Sequence, residues 1–405
     1  MPDRLLLVSA DGHAGAPAHV YREYLDPGYR EAYDDHVVKT RADQQAMYEL
    51  RLAGESRRTF LEQWYAETGD GGERGAWDSE YREKELATEG IVAEVLFPDA
   101  DASNLNWSNV AGAPFSAGLG SSAATDGDLV FAGSKAHNRW MADFCAQLPG
   151  RRIGLALVPI VFDIERSEQE VRWAHDVGLR GILIPTRWNQ NPSYNDPVYD
   201  PVWATCAELG MPVHTHSGGG PSDYTGIARG GALYTWEAWW WAARPLWALI
   251  LGGVFERHPD LQYACTENLS FWAADFRRHS DDHFFGRAHS TRKFGKEFLA
   301  GDQTISPSER LARNCKLGST LGPRDVALRY EIGVENLMFG SDFPHPEGTW
   351  PNTRSFLRDR FADVPRAEVE AIVGGNALDF YRAFDRADLR ALADQLGPTV
   401  EEVLG

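Results

Sequence analysis

The stretch LLLVSADGH, residues 5–13, decides the fold, because a short apolar run passes directly into polar residues and then towards a helix-length segment. The same order recurs along the chain. Seven further apolar runs lie at residues 91–97, 153–160, 181–184, 211–213 and 261–265, weakly around Leu317, and at 337–339. Continuous apolar strands that alternate with helices are typical of a parallel sheet buried on both faces. Eight such strands predict an α/β protein with a (β/α)8 barrel, the TIM barrel.

The uneven spacing of these runs predicts one barrel domain with inserted loops. Long segments separate the first run from the second, at about residues 14–90, and the second from the third, at about residues 99–130. The latter segment contains many Ser, Gly, Ala and Asn residues, which are typical of a loop. We expect the barrel domain to span residues 1–384 and a helical tail to occupy residues 385–405.

The composition excludes several classes of function. The chain has 405 residues, and 43% hydrophobic residues are enough for a sizeable core. Its 40 basic and 59 acidic residues give a net charge of −19, which argues against nucleic acid as a partner. No apolar run approaches the ~18 residues of a membrane span. Four cysteines without CxxC pairs indicate reduced thiols in a cytoplasmic protein. No phosphate-binding loop or GxSxG motif stands in a strand–turn–helix context.

Polar residues with metal-binding side chains follow four of the apolar runs. They are Asp11, His13, His214, His216, Glu267 and Asp342. In a parallel barrel the carboxyl ends of the strands meet at one face, where active sites lie. Residues two apart on a strand share a side, so Asp11 and His13 are expected to point the same way. A single histidine there is often structural, and a single aspartate is often a helix cap. Their joint occurrence favours a divalent cation such as Zn, Mn or Fe.

Five motifs resemble the amidohydrolase superfamily. They are SADGH at 9–13, PVHTH at 212–216, GGVFERHPDL at 252–261, FGSDFPHPEG at 339–348 and GNA at 375–377. The resemblance is to the amidohydrolase-related branch, which includes aminocarboxymuconate-semialdehyde decarboxylase and γ-resorcylate decarboxylase. It implies a metal-dependent (β/α)8-barrel enzyme that forms a homodimer and acts on a small, aromatic substrate.

The resemblance also implies a set of metal ligands. Carried over to this sequence, one divalent ion is held by Asp11, His13, His216 and Asp342, with zinc first and manganese or iron as alternatives. The family spacing of four residues after the proline selects His216 over His214. The chain departs from the family at two positions. Asp11 replaces the first histidine of the His-x-His pair of many relatives, and Glu267 stands where the decarboxylases carry a histidine.

Other residues are predicted to act on the substrate. The resemblance implies that Asp342 also handles a proton, and Glu267 is expected to act as a general base. Arg187 and Trp188 follow the fourth strand and are candidates to bind a carboxylate and stack on a ring, although surface residues would look the same. His345 and His283 are further candidates for substrate contacts. For His345 the alternative is a role in stabilising its loop. The tryptophans at 236–241 are predicted either to pack at a helix or subunit interface or to form an aromatic wall.

Three functions remain open from the sequence. The first is a metal-dependent lyase that decarboxylates a small aromatic or hydroxylated or aminated carboxylic acid. The second is a metal-dependent hydrolase or cyclising dehydratase in which Glu267 activates the nucleophile. The third is a barrel that only binds and does not catalyse.

Overall fold

Parallel β-strands form the framework of the computed structural model, which describes residues 3–52, 54–98, 112–118, 126–218, 229–284, 289–295 and 304–405. The strands are β1 (Leu7–Ala14), β2 (Ile91–Pro98), β3 (Arg152–Gly154), β4 (Ala156–Leu157), β5 (Ile182–Leu183), β6 (Val213–His216), β7 (Tyr263–Thr266), β8 (Cys315–Ser319) and β9 (Leu337–Phe339). The predicted α/β class with parallel strands is confirmed.

The strands pair in chain order in two sheets, β1-β2-β3 and β4-β5-β6-β7-β8-β9. The two sheets adjoin at both ends. Leu155 alone separates β3 from β4, and its N–H donates to the carbonyl of Leu96 in β2. At the other end, the N–H of His13 in β1 donates to Phe343 O, and the N–H of Asp342 donates to Asp11 O, each over 2.8 Å. The described hydrogen bonds therefore link the ends of the two sheets without forming one continuous ladder.

Each predicted apolar run contains or touches a strand, including the weak run around Leu317, which lies in β8. Two of the strands extend beyond their predicted apolar runs. β1 continues to Ala14 and β6 to His216, so their polar residues lie within the strands and not after them. The third run is divided between β3 and β4.

Helices lie in the segments that connect the strands and in the segment after β9. They are α1 (Ala18–Tyr24), α2 (Arg30–Leu52), α3 (Glu55–Thr68), α4 (Ser79–Glu89), α5 (Gly127–Ala146), α6 (Ile164–Asp176), α7 (Asp200–Leu209), α8 (Gly230–Leu251), α9 (Val254–Arg257), α10 (Trp272–Phe284), α11 (His289–Phe294), α12 (Pro307–Asn314), α13 (Pro323–Ala327), α14 (Arg329–Ile332), α15 (Thr353–Phe361), α16 (Arg366–Glu370), α17 (Asn376–Phe380), α18 (Arg386–Leu396) and α19 (Val400–Leu404). Side-chain caps begin several of them, such as Asp163 at α6 and Ser306 at α12. No described helix has the length and apolar character that crossing a bilayer requires.

The segments predicted as insertions differ in how far they are described. Residues 14–90 contain α1 to α4. Much of the predicted segment 99–130 lies outside the described residues, at 99–111 and 119–125. The C-terminal residues form α18 and α19, and the N–H of Leu5 donates to Pro398 O beside them. The division into a barrel domain and a tail stays a prediction.

The strands are buried on both faces. Leu7 and Leu96 contribute to one apolar cluster, whereas their neighbours Val8 and Val95 contribute to a second. This alternation is the period of two of a strand covered on both sides. The four cysteines are free, buried thiols, as the sequence predicted.

Candidate metal centre

Six titratable side chains meet at the carboxyl ends of the strands. The cluster comprises Asp11, His13, His216, Glu267, Asp342 and His345, and we call it the six-residue cluster. β1 contributes two of these residues and β6 one, whereas one follows β7 and two follow β9. Five of the six are buried, and the Glu267 side chain alone keeps 31% of its surface exposed. Segments more than 300 positions apart in sequence are thus brought together by the parallel order of the strands.

A close approach between β1 and the segment after β9 places Asp11. A Cβ at Gly340 would lie 2.3 Å from the Cβ of Asp11, so only glycine fits there. The Ser9 hydroxyl donates to Asp11 O over 2.6 Å and lies 2.9 Å from Ser341 Oγ. These contacts fix the backbone on both sides of the Asp11 carboxylate.

Two residues of the cluster have a strained backbone. Glu267 has φ 52° and Asp342 has φ 59°, in the left-handed region that residues with a Cβ rarely adopt. Hydrogen bonds hold both in place, from Glu267 N–H to Gly318 O over 2.7 Å and from Asp342 N–H to Asp11 O over 2.8 Å. Strain of this kind is concentrated at functional sites.

His216 is the centre of one half of the cluster. Its Nε2 lies 3.3 Å from Asp11 Oδ1 and 3.2 Å from Glu267 Oε2. The hydroxyl of Ser217 donates to the other oxygen of Glu267, Oε1, over 2.7 Å. The Phe97 ring packs against the His216 ring, with the two ring centroids 4.7 Å apart.

His13 and Asp342 are the centre of the other half. His13 Nε2 lies 3.3 Å from Asp342 Oδ1 and 3.6 Å from Asp11 Oδ1. His345 Nδ1 lies 3.0 Å from the same Asp342 oxygen. The rings of His13 and His345 are stacked with centroids 3.9 Å apart. One carboxylate oxygen therefore faces two imidazoles.

The cluster can hold a divalent metal ion. Asp11, His13 and His216 offer ligand atoms within 4.8 Å of one another, and so do His13, Glu267, Asp342 and His345. His13 is common to both groups. The four ligands expected from the sequence therefore do not form one group, because Asp342 groups with Glu267 and His345.

The donor set fits such an ion. Asp11 Oδ2 is buried and has no hydrogen-bond partner among the described residues. A buried carboxylate oxygen without a partner is costly unless a cation binds it. Imidazole nitrogens and carboxylate oxygens are common ligands of Zn, Mn and Fe.

The carboxylates of the cluster have shifted pKa values in opposite directions. Burial raises the pKa of Asp11 to about 7, against the attraction of His216. Burial also raises the pKa of Glu267, and the nearby Asp342 charge adds to that effect. Burial acts on Asp342 in the same sense, but the nearby imidazoles of His345 and His13 outweigh it and hold its pKa below the usual range. Asp342 is therefore the carboxylate that stays ionised most readily.

The two strand histidines differ in charge. Burial, together with His345 and His216, lowers the pKa of His13 to about 3, so its ring is neutral and has a lone pair to offer a metal. Burial opposes the protonation of His216 as well, but the charges of Glu267 and Asp11 outweigh it and raise that pKa to about 9.

Some residues predicted for the site lie elsewhere. His214 bonds Ile182 O at 3.0 Å through Nδ1 and Tyr381 Oη at 2.8 Å through Nε2, so His216 and not His214 joins the cluster. His283 lies on α10 and lines a cavity of about 440 Å³ with Trp247 and Trp272. The six-residue cluster does not line that cavity.

Arg187 and Trp188 lie outside the six-residue cluster, in the segment after β5. The predicted tryptophan-rich segment is part of α8, where Trp236 is 69% exposed and Trp239 packs 5.6 Å from the Phe271 ring. Their roles stay predictions.

Ser217 and Phe97 were not among the site residues predicted from the sequence. Ser217 directly follows the His-x-His motif, and Phe97 ends the apolar run of β2. Their positions at strand ends were visible in the sequence. Their contacts with Glu267 and His216 were not, because they cross between strands.

The family model for the amidohydrolases matches residues 89–266 and 319–383 of this chain. The chain belongs to the amidohydrolase family. The matched residues include His216, Asp342 and His345, whereas Asp11, His13 and Glu267 lie outside them. The predicted membership of this superfamily of enzymes is confirmed.

Several relatives of this amidohydrolase are named as decarboxylases. The γ-resorcylate decarboxylase of Rhizobium sp. (strain MTP-10005) is 23% identical over 228 residues, which are 51% of this chain and 64% of the relative. The chain thus spans less than two thirds of that relative's length.

Solved structures share the fold. The crystal structure of 5-carboxyvanillate decarboxylase from Sphingomonas paucimobilis has a TM-score of 0.63 and 20% identity, over 94% of this chain and 99% of that one. The Novosphingobium aromaticivorans 5-carboxyvanillate decarboxylase, a D314N mutant with bound manganese, has a TM-score of 0.64 and 16% identity, over 93% and 97% of the two chains.

Proposed function

We propose that this amidohydrolase is a metal-dependent decarboxylase of a small aromatic carboxylic acid. The observation that carries the proposal is the six-residue cluster, in which three imidazoles and three carboxylates converge at the carboxyl ends of the strands. The relatives named above as decarboxylases of aromatic acids support the choice of reaction.

Asp11, His13, His216 and Asp342 are the proposed ligands of one divalent cation, with Glu267 and His345 next to them. When bound, the cation would polarise a carboxylate or phenolate oxygen of the substrate. The sequence favoured zinc. The three carboxylates of the cluster and the manganese of the Novosphingobium enzyme support manganese instead.

Asp342 and His345 are proposed to handle the proton that the reaction needs, with His345 as its carrier and the ionised Asp342 as the group that faces it. Decarboxylation replaces a carboxylate on a ring carbon with hydrogen, so a side chain must deliver a proton to that carbon as carbon dioxide leaves. The 3.0 Å contact between His345 Nδ1 and Asp342 Oδ1 can share such a proton. Stacking on His13 fixes the orientation of the His345 ring.

Arg187 and Trp188 are proposed to contact the substrate at the rim of the site. Arg187 follows β5, the strand next to β6, which carries His216. The role of His283, beside the cavity between α8 and α10, stays a prediction from the sequence.

A metal-dependent hydrolase or cyclising dehydratase is the second candidate, and Glu267 favours it. Its carboxylate is partly exposed, lies 3.2 Å from His216 and is held by Ser217, as a base that activates water would be. Incubation in ¹⁸O-labelled water separates hydrolysis from decarboxylation. Hydrolysis incorporates ¹⁸O from water into the product, whereas decarboxylation adds no oxygen to the aromatic product.

The test of the proposal is turnover of 2,6-dihydroxybenzoate and 5-carboxyvanillate by protein of measured metal content. Turnover is measured as the release of carbon dioxide. Asp342→Asn should reduce kcat by at least 100-fold, since proton delivery is typically worth 10²–10⁴. Glu208→Gln, an exposed carboxylate on α7, is the matched control and should retain full turnover. Full turnover in Asp342→Asn, or no carbon dioxide from the metal-loaded protein, would exclude the assignment. A protein that takes up no metal would restore the binding-only alternative.

We further propose that the two sheets form one eight-stranded barrel, in which β3 and β4 count as a single strand. The Leu155 and His13 hydrogen bonds at the two junctions support it. The homodimer and the cytoplasmic location stay predictions from the sequence.

A further inference from the structure

A hydrogen-bonded pair of serines joins the two segments that carry Asp11 and Asp342. Ser9 lies on β1 and Ser341 follows β9, and both residues are buried. Their hydroxyl oxygens lie 2.9 Å apart, although 332 positions separate the two residues in sequence. The Ser341 N–H also donates to Ser9 Oγ over 2.9 Å. We call Ser9 and Ser341 the serine pair.

The directions of these hydrogen bonds follow from the single proton of each hydroxyl. The hydroxyl of Ser9 donates its proton to the carbonyl oxygen of Asp11 over 2.6 Å. The hydroxyl of Ser341 must therefore be the donor in the contact between the two serines. Ser9 Oγ thus accepts from both the hydroxyl and the N–H of Ser341 while it donates to Asp11. One buried hydroxyl joins the backbones of the two segments.

The serine pair holds the backbone that orients the Asp342 carboxylate. The Asp342 N–H donates to Asp11 O over 2.8 Å, so the successive N–H groups of Ser341 and Asp342 both bind β1. Asp342 has φ 59°, a strained conformation that persists only where the surroundings hold it. Removal of the Ser9 hydroxyl would leave the buried Ser341 N–H without this partner and would remove one of the two restraints.

The serine pair also connects the two groups of potential metal ligands. Asp11 belongs to the first group described above and Asp342 to the second, and His13 is common to both. A cation with ligands from both groups requires the two aspartates at a fixed separation. Partners behind the ligands commonly set such a separation and with it the metal affinity. The serine pair acts on this separation through the backbone on both sides.

We propose that Ser9 and Ser341 are positioning residues of the metal centre, which set the separation of the Asp11 and Asp342 carboxylates. This inference rests on the proposed function, in which both carboxylates bind one cation. A serine that only stabilised the fold would change the Tm of the metal-free protein and leave the ligand geometry unaltered. The two roles therefore predict different results for the same substitution.

The test is calorimetric titration of the metal-free protein with Mn²⁺, together with the visible absorption spectrum of the Co²⁺-loaded protein. Ser9→Ala is expected to weaken Mn²⁺ binding by about tenfold to 100-fold, the usual effect of losing a group that orients metal ligands. It should also shift the Co²⁺ bands, since these report the geometry of the ligands. Both readouts are independent of turnover.

Ser134→Ala is the matched control. Ser134 lies on α5 and is as fully buried as Ser9, but its hydroxyl has no hydrogen-bond partner among the described residues. The control should therefore bind Mn²⁺ with wild-type affinity and give the wild-type Co²⁺ spectrum. Wild-type affinity and spectrum in Ser9→Ala would show a purely structural role and overturn the proposal, whatever the Tm of the metal-free variant.

Ser341→Ala and the double variant test whether the two serines act as one unit. If they do, the double variant should bind Mn²⁺ about as weakly as the weaker of the single variants, whereas independent effects would multiply and overturn the serine pair. If Ser9→Ala does not fold, Ser341→Ala decides by the same comparison with Ser134→Ala.

The outcome for the serine pair is separate from the outcome for the reaction. Weakened Mn²⁺ binding and a shifted Co²⁺ spectrum in Ser9→Ala support the serine pair even if the wild type decarboxylates no aromatic acid, in which case the proposed reaction alone fails. A wild type that binds neither Mn²⁺ nor Co²⁺ would overturn the metal centre and the role of the serine pair together.

Discussion

Gly340 is the residue that allows Asp11 to join the six-residue cluster. Its missing side chain lets the segment after β9 approach β1, so that the Asp11 carboxylate meets His13 and His216. In a close-packed interior a displacement cannot be absorbed nearby. A single methyl group at position 340 should therefore act on the ligand geometry.

Gly340→Ala is expected to weaken metal binding by about tenfold or more, as changes behind metal ligands usually do. The added Cβ would lie 2.3 Å from the Cβ of Asp11, so Asp11 must move. Calorimetric titration with Mn²⁺ measures the effect. Gly28→Ala is the control, because nothing lies within 4 Å of a Cβ there. Unchanged affinity in Gly340→Ala would show that Asp11 is not a ligand.

At the scale of elements, the Arg82 side chain joins α4 to the strands β1 and β2 beneath the six-residue cluster. It is fully buried, donates to Glu94 on β2 with its shortest contact at 2.6 Å, and donates to His13 O on β1 over 2.8 Å. Burial opposes ionisation of Glu94, but Arg82 and Arg152 outweigh it and lower the pKa of that carboxylate. The pair therefore fixes the backbone of His13, a proposed metal ligand.

Arg82→Met should reduce the free energy of unfolding by about 3–5 kcal/mol, because it leaves the Glu94 charge buried without its main partner. Urea denaturation at neutral pH measures the loss. The exposed pair of Arg74 and Asp78 provides the comparison, and Arg74→Met should cost less than about 1 kcal/mol. Equal losses in the two variants would contradict a special role for the buried pair.

The contact between α1 and α5 makes stability depend on pH. His137 on α5 is buried, and its Nδ1 lies 2.7 Å from the hydroxyl of Tyr21 on α1. Burial lowers the pKa of His137 to about 3, from about 6.5 in the unfolded chain. The unfolded chain therefore binds this proton first as the pH falls, and stability decreases below about pH 6.5.

Through His137, a fall from pH 7 to pH 5 should reduce the free energy of unfolding by about 2 kcal/mol. His137→Phe should lose less stability over the same interval than the wild type does, although its stability at pH 7 can differ. Denaturant unfolding at both pH values, with metal removed from both proteins, measures the difference. A wild type and a variant with the same pH dependence would show that His137 does not remain neutral in the native state.

At the scale of the whole molecule, the binding of a cation is coupled to stability. The chain has a net charge of −19, and three of its carboxylates meet in the six-residue cluster. A ligand that binds only the folded state stabilises it by about 2.7 kcal/mol at 100 times its Kd.

Chelator treatment should therefore lower Tm by several degrees, and Mn²⁺ should restore it. Asp11→Asn removes a proposed ligand together with a buried charge, so the metal-free variant should be at least as stable as the metal-free wild type. Its Tm should respond little to Mn²⁺. Differential scanning calorimetry provides the measurement. An equal rise of Tm in the two proteins would place the cation elsewhere.

The positions of the strands and the type of chemistry could be predicted from the sequence, because both depend on residues close together in the chain. Apolar runs located β1 to β9, and the motifs around Asp11, His216 and Asp342 indicated the family that the comparison confirms. Even the weak run around Leu317 was a strand.

The tertiary structure alone decided which of these residues meet. His214 and His216 share one side of β6, but they lie two residues apart, about 6.6 Å along the strand, and so at different depths. His214 consequently bonds Tyr381, and His216 reaches Asp11. Likewise, His345 joins Asp342 and Arg244 joins Trp188. Spacing in sequence does not determine such contacts, since they depend on how neighbouring strands and helices pack side by side.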